Sequence, residues 1–140
     1  MKKQNLIPLL AMVLMLAVGV AYAQLPSPGT VKVSIPFSFT ANQVAMPAGD
    51  YTVKNSGSAG VLLISSDDAS QHGLISTTSV ESNSRSTQTK LIFHRYGDQY
   101  FLSQVWVRGE ASGRELPKTR AEKELMARSS FETVAILAQK

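Results

Sequence analysis

The sequence predicts a small, mainly β domain: an antiparallel sandwich or barrel with one short C-terminal helix. Three observations predict it. "VKVSIPFSFT", from Val31 to Thr40, alternates apolar and polar side chains, the period of a strand with one buried face. Short runs rich in Val, Ile, Thr and aromatics follow, separated by clusters of Gly, Ser, Asp and Pro. The pattern changes only after Gly109, where Thr119-Arg120-Ala121-Glu122 fits a helix capping box, hydroxyl and carboxylate each satisfying a free backbone donor.

The first residues concern destination. Lys2 and Lys3, an apolar run from Leu9 to Val20 and Ala21-Tyr22-Ala23 before Gln24 form the three parts of a secretory signal peptide. Its rival is an uncleaved membrane anchor, since the run approaches the minimum spanning length. The Ala-Tyr-Ala site and the turn-prone Pro26-Ser27-Pro28-Gly29 favour cleavage. Residues 1–23 are thus expected to leave, 24–30 to be a linker and 31–140 one β domain with a helix near 120–128. The expected location is periplasmic or extracellular, with no stable membrane anchor after cleavage.

Along the domain, Val31, Val33, Ile35, Phe37 and Phe39 form one strand face, and Pro36 places that strand at an edge or bends it. Pro47-Ala48-Gly49 is a turn and Tyr51 to Val53 opens a second strand. "VLLIS" is a third and "LISTTSVES" a fourth, while Ser82 to Thr89 is a polar loop expected to be mobile. Residues 90–107 supply the fifth and sixth strands. A short helix runs from about Arg120 to Arg128, supported by a Glu124–Arg128 pair, with Ala121 and Leu125 on one face. "FETVAILA" reads equally as a final strand or as more helix.

"KLIFHRYGDQYFLSQVWV", residues 90–107, carries the densest chemistry. Gly97-Asp98 fits a two-residue type II′ turn, which pairs Tyr96 with Gln99, Arg95 with Tyr100, His94 with Phe101 and Phe93 with Leu102. A three-residue loop would pair Tyr96 with Tyr100 instead. In the first register Arg95, Tyr100, Gln104 and Trp106 share one face with Leu91, Phe93 and Leu102. Neither face is cleanly polar, so both need cover, for which Leu116, Leu125, Met126 and Phe131 are the candidates.

Arg95, Tyr100, Gln104 and Trp106 are therefore the candidate ligand-binding residues, suited to a carboxylate or a sugar. The competing reading, favoured by the frequency of such pairs in sheets, has Arg95 stacked on Tyr100 near the turn and only stabilising the hairpin. Arg114, Glu115, Lys118 and Arg120 form a candidate interaction surface, or else a solvated mixed-charge segment. No catalytic residue is assigned, because nothing near His94 has the form of a nucleophile elbow. No metal or cofactor is expected: there is no cysteine, and no carboxylate stands at ligand spacing from His72 or His94.

With the two leader lysines removed, 12 basic residues face 10 acidic ones. So small an excess, spread over both signs, is no nucleic-acid footprint.

"IPFSFTANQVAMPAGDYTV", "KLIFHRYGDQYFLSQVW" and "GRELPKTRAEKEL" together resemble a group of short exported bacterial proteins of unknown function, over a span from about Val31 to Leu125. The resemblance implies export and a single domain, and brings no activity or site residue with it. The expected function is a non-catalytic binding or envelope-associated protein taking a small apolar or anionic ligand, or an envelope protein. The alternative is a structural or interaction module in which Val31 to Phe39 pairs with a partner by its edge. An enzyme ranks third.

Overall fold

The computed structural model describes residues 29–139. The expected signal peptide, and the linker up to residue 28, lie outside the described residues. The elements are β1 (Val31–Ile35), β2 (Phe39–Ala41), β3 (Val44–Met46), β4 (Gly49–Asn55), β5 (Val61–Ser66), β6 (His72–Ser76), β7 (Thr78–Glu81), β8 (Lys90–Tyr96), β9 (Gln99–Trp106), β10 (Ser112–Glu115), α1 (Arg120–Arg128) and β11 (Glu132–Leu137).

They form two sheets packed face to face. The first has the order β1-β4-β5-β6 and is antiparallel throughout. The second has the order β11-β8-β9-β10-β7, with β2 paired in parallel to β9 at Thr40–Phe101 and β3 carried on β2. Val33, Ile35, Tyr51 and Ile64 from the first sheet meet Leu91, Phe93 and Leu102 from the second in one buried core. The mainly β class and the single C-terminal helix are as the sequence predicts. The sheets make a sandwich, and no barrel closes among the described residues.

Two apparent single strands are in fact crossings between the sheets. Pro36 has no N–H to give, so the ladder stops after Ile35 and the chain passes over to become β2. The alternation continues through the break: Phe39 is buried, and Phe37 stacks on Tyr100 with ring centroids 3.8 Å apart. β1 is an edge strand, as Pro36 suggests, and Gln139 N–H donates to Lys32 O at 2.8 Å beside it. The stretch read as a fourth strand breaks at Thr77, leaving β6 in the first sheet and β7 in the second. Thr77 fixes that corner by donating from both its N–H and its Oγ1 to Gly60 O, at 2.8 and 2.7 Å.

The small β2–β3 hairpin escapes sequence reading because three-residue strands carry too little period to register. Its turn at Asn42-Gln43 has positive φ at both positions, +54° and +126°. "FETVAILA" resolves as the strand β11, paired to β8, with Val134 and Ile136 packed against the core.

Helix α1 has the predicted bounds and cap. Thr119 Oγ1 accepts from Glu122 N–H at 3.2 Å. The second half of the capping box is replaced, because the Glu122 carboxylate turns into the sheet. The ion pair that forms on the helix is Arg120–Glu124 at 3.2 Å, one turn before the expected Glu124–Arg128. The inner cover of the hairpin is also corrected. The first sheet provides it, with only Leu116 of the four expected residues fully buried, while Met126 and Phe131 stay exposed.

Candidate functional site

The β8–β9 hairpin turns at Gly97 (φ +60°) and Asp98, with Tyr96 opposite Gln99 and Arg95 opposite Tyr100, as the two-residue turn requires. Further from the turn the register shifts. Phe93 pairs with Leu102 but Ile92 pairs with Gln104, so Ser103 is an extra, buried residue on β9. Its carbonyl, displaced from the β8 ladder, accepts from Leu116 N–H at 2.8 Å.

That one residue divides the predicted site. Side chains alternate faces along a strand, so an inserted residue reverses every position beyond it. Arg95 and Tyr100 remain on the inner side near the turn. Gln104 and Trp106 move to the outer face beside Ile92 and Lys90, and Val105 takes the core position.

Arg95 is held where it stands. Its Nε donates to Gly97 O at 2.8 Å, its Nη1 lies 3.6 Å from Glu132 and its guanidinium carbon sits 5.7 Å from the Tyr100 ring centroid. With Phe37 also stacked on Tyr100, these contacts clamp the end of the hairpin.

The outer half has a different character. Gly113 is buried under the Trp106 ring: a Cβ there would lie 2.7 to 2.9 Å from three indole carbons, so only glycine lets the ring lie flat on β10. Trp106 Nε1 donates to Gln104 Oε1 at 2.9 Å, and Gln104 Nε2 donates to Glu115 Oε2 at 3.1 Å. This chain fixes the amide and the rotation of the indole together.

Over this floor lies a groove of about 390 Å³, with Ile92, Gln104 and Trp106 at its base and Ser82, Ser84 to Thr87, Lys90 and Thr133 around it. Its size falls in the range of roughly 300–1,000 Å³ typical of small-molecule sites. The polar loop over the groove is tied to the next turn. Ser86 N–H donates to Glu110 O, Gly109 N–H to Ser86 O and Arg85 Nη1 to Gly109 O, at 2.8, 2.8 and 2.7 Å.

The turn end of the same outer face is closed by α1. Glu122, only 4% exposed, places Oε1 3.1 Å from His94 Nδ1 and accepts from Tyr96 OH at 3.2 Å. Phe131 stacks on His94 with centroids 4.1 Å apart. Burial, followed by the charge and the hydrogen bond of Glu122, pushes the Tyr96 phenol up to about 12. These contacts of Glu122 and Phe131 with His94 and Tyr96 fasten the helix and the segment after it to β8.

The charged candidates are dispersed. Arg114 lines a narrower cleft of about 210 Å³ between the sheets, next to Val53 and Leu62. Glu115 serves Gln104, Lys118 is half-buried before the helix, and Arg120 is exposed on it. His72 lies on β6 of the first sheet and His94 on the second.

Sequence reasoning missed Lys90, Ile92 and the 82–87 loop as groove residues, and Glu122 as a buried group. The loop's run of hydroxyls was a visible signal, whereas the capping-box spacing hid the role of Glu122. Set against protein-family models, curated proteins and solved structures, the chain matches none, so its reading rests on its own geometry.

Proposed function

We propose that this chain is an exported, non-catalytic binding protein whose ligand occupies the groove over Trp106. The observation that carries the reading is the fixed indole: a large aromatic surface laid on Gly113, locked through Gln104 and Glu115, at the base of a cavity rimmed by hydroxyls. Ordering an aromatic platform before binding lowers the entropic cost of taking up a ligand. Export rests on the leader pattern, and the resemblance to short exported proteins agrees with it.

The alternative of edge pairing by Val31 to Phe39 has less support. The chain leaves the first sheet at Pro36, and Gln139 already donates to Lys32 O beside β1.

Trp106 is the only tryptophan, so its emission reports on the groove alone. Titration with a panel of neutral and charged oligosaccharides, amino acids and carboxylic acids should give a saturable change for at least one class. The same ligand should be retained by the protein in equilibrium dialysis, with an affinity that matches the emission titration. A panel without any saturable response removes the reading.

A further inference from the structure

The groove's charge is one-sided, and this narrows its ligand. Arg85 and Lys90 line it, and no carboxylate does. Among the described residues neither cation is in an ion pair. Glu115, which reaches the floor through Gln104, has an oxygen engaged by that amide and is not a lining residue. The excess is local, because the domain as a whole is nearly balanced.

The remaining surface is that of a sugar site. Trp106 has spent its N–H on Gln104 and offers only its ring face, which suits the C–H face of a pyranose. Serine and threonine hydroxyls at 82, 84, 87 and 133 both donate and accept, matching sugar hydroxyls, while Ser86 Oγ, which donates to Gln88 O at 2.7 Å, keeps only its acceptor side.

We propose that the groove binds an acidic oligosaccharide, with a pyranose ring on Trp106 and a uronate carboxylate on Lys90 and Arg85. This rests on the binding function proposed above and specifies its ligand class. A bare small anion would leave the indole unused. A neutral sugar would leave both cations without a counter-charge, Arg85 having only the Gly109 carbonyl.

The test uses Trp106 emission and calorimetry with oligogalacturonate, oligoalginate and hyaluronan fragments, beside methyl-esterified oligogalacturonate, which keeps the rings and loses the charge. At least one acidic oligomer is expected to saturate the signal, binding about tenfold or more tightly than the ester, since only the free carboxylate accepts charge-assisted hydrogen bonds. Its affinity should fall as salt rises from low to physiological strength. Lys90→Ala, at a partly exposed position, should weaken it several-fold with the melting temperature unchanged, and Arg85→Ala, which also loses the tie to Gly109 O, should weaken it at least as much.

Equal binding of acid and ester overturns the acidic class and leaves a saccharide site. No response to any acidic oligomer overturns it too, and a response to another panel member would still preserve the binding function. If nothing on either panel responds, both readings fall.

Discussion

Glu122 Oε1 stands 3.1 Å from His94 Nδ1, and this contact joins the only described helix to the sheet it covers. The same oxygen accepts from Tyr96, so one buried carboxylate serves two side chains of β8. Removing one partner of such a group leaves the others desolvated and unpaired. Glu122→Ala is expected to cost about 2–4 kcal/mol in urea unfolding. Glu122→Gln keeps an acceptor in place and should cost less. A Glu122→Ala loss below about 0.5 kcal/mol, the level of an ordinary surface substitution, would show that α1 is held by other means.

Tyr96 makes the fold sensitive to alkali. Its phenol is raised to about 12, above the ordinary value of 10, so the folded state holds that proton more tightly than the unfolded chain does. The contribution is complete below about pH 10 and is lost as pH rises to about 12, amounting to roughly 2–3 kcal/mol over the window. Tyr51 shifts in the same direction through burial and the nearby charge of Asp68, so wild type must be compared with Tyr96→Phe. The variant should show a shallower loss of stability between pH 10 and 12.

Gly113→Ala tests the floor of the groove. The added methyl would come within 2.7 Å of Trp106 Cδ2, so the indole must tilt. The expected cost is about 1–3 kcal/mol, typical of overpacking, with a shifted Trp106 emission and weaker ligand uptake. An unchanged spectrum and melting temperature would mean that the ring does not lie where the structure puts it.

Much of the fold can be read from residues. The turn at Gly97-Asp98, the helix over 120–128 and the β class follow from local spacing, where propensity and periodicity agree. Sheet membership cannot be read so, because it depends on pairing between segments far apart in sequence. Val31 to Thr40 and His72 to Glu81 each look like one strand while serving two sheets, since alternation continues across a corner that only tertiary hydrogen bonds reveal. The shared face of the four candidate residues is lost for a related reason. Four residues at the right period were placed on one face, and an extra residue at Ser103, which has no distinctive composition, moved two of them to the other.

Deleting Ser103 follows directly. Without it Gln104 follows Leu102 directly and still opposes Ile92, so Gln104 and Trp106 keep the outer face and Val105 the core. The Leu116 N–H would lose its partner at Ser103 O. In urea unfolding the deletion should cost about 1–3 kcal/mol through that unpaired donor, whereas Ser103→Ala, which keeps the chain length and the carbonyl, should cost no more than about 1 kcal/mol.

The central claim is that ligand binds over Trp106 on the outer face of the second sheet. Its most direct measurement is amide and indole NMR shift mapping with the tightest-binding acidic oligosaccharide. The account predicts the largest shifts at the Trp106 indole N–H, at the backbone of residues 84–87 and at Lys90, Ile92 and Gln104. Shifts centred instead on Lys54, Asn55 and Arg114 in the inter-sheet cleft, or on Asp98 to Tyr100 at the hairpin tip, would contradict it.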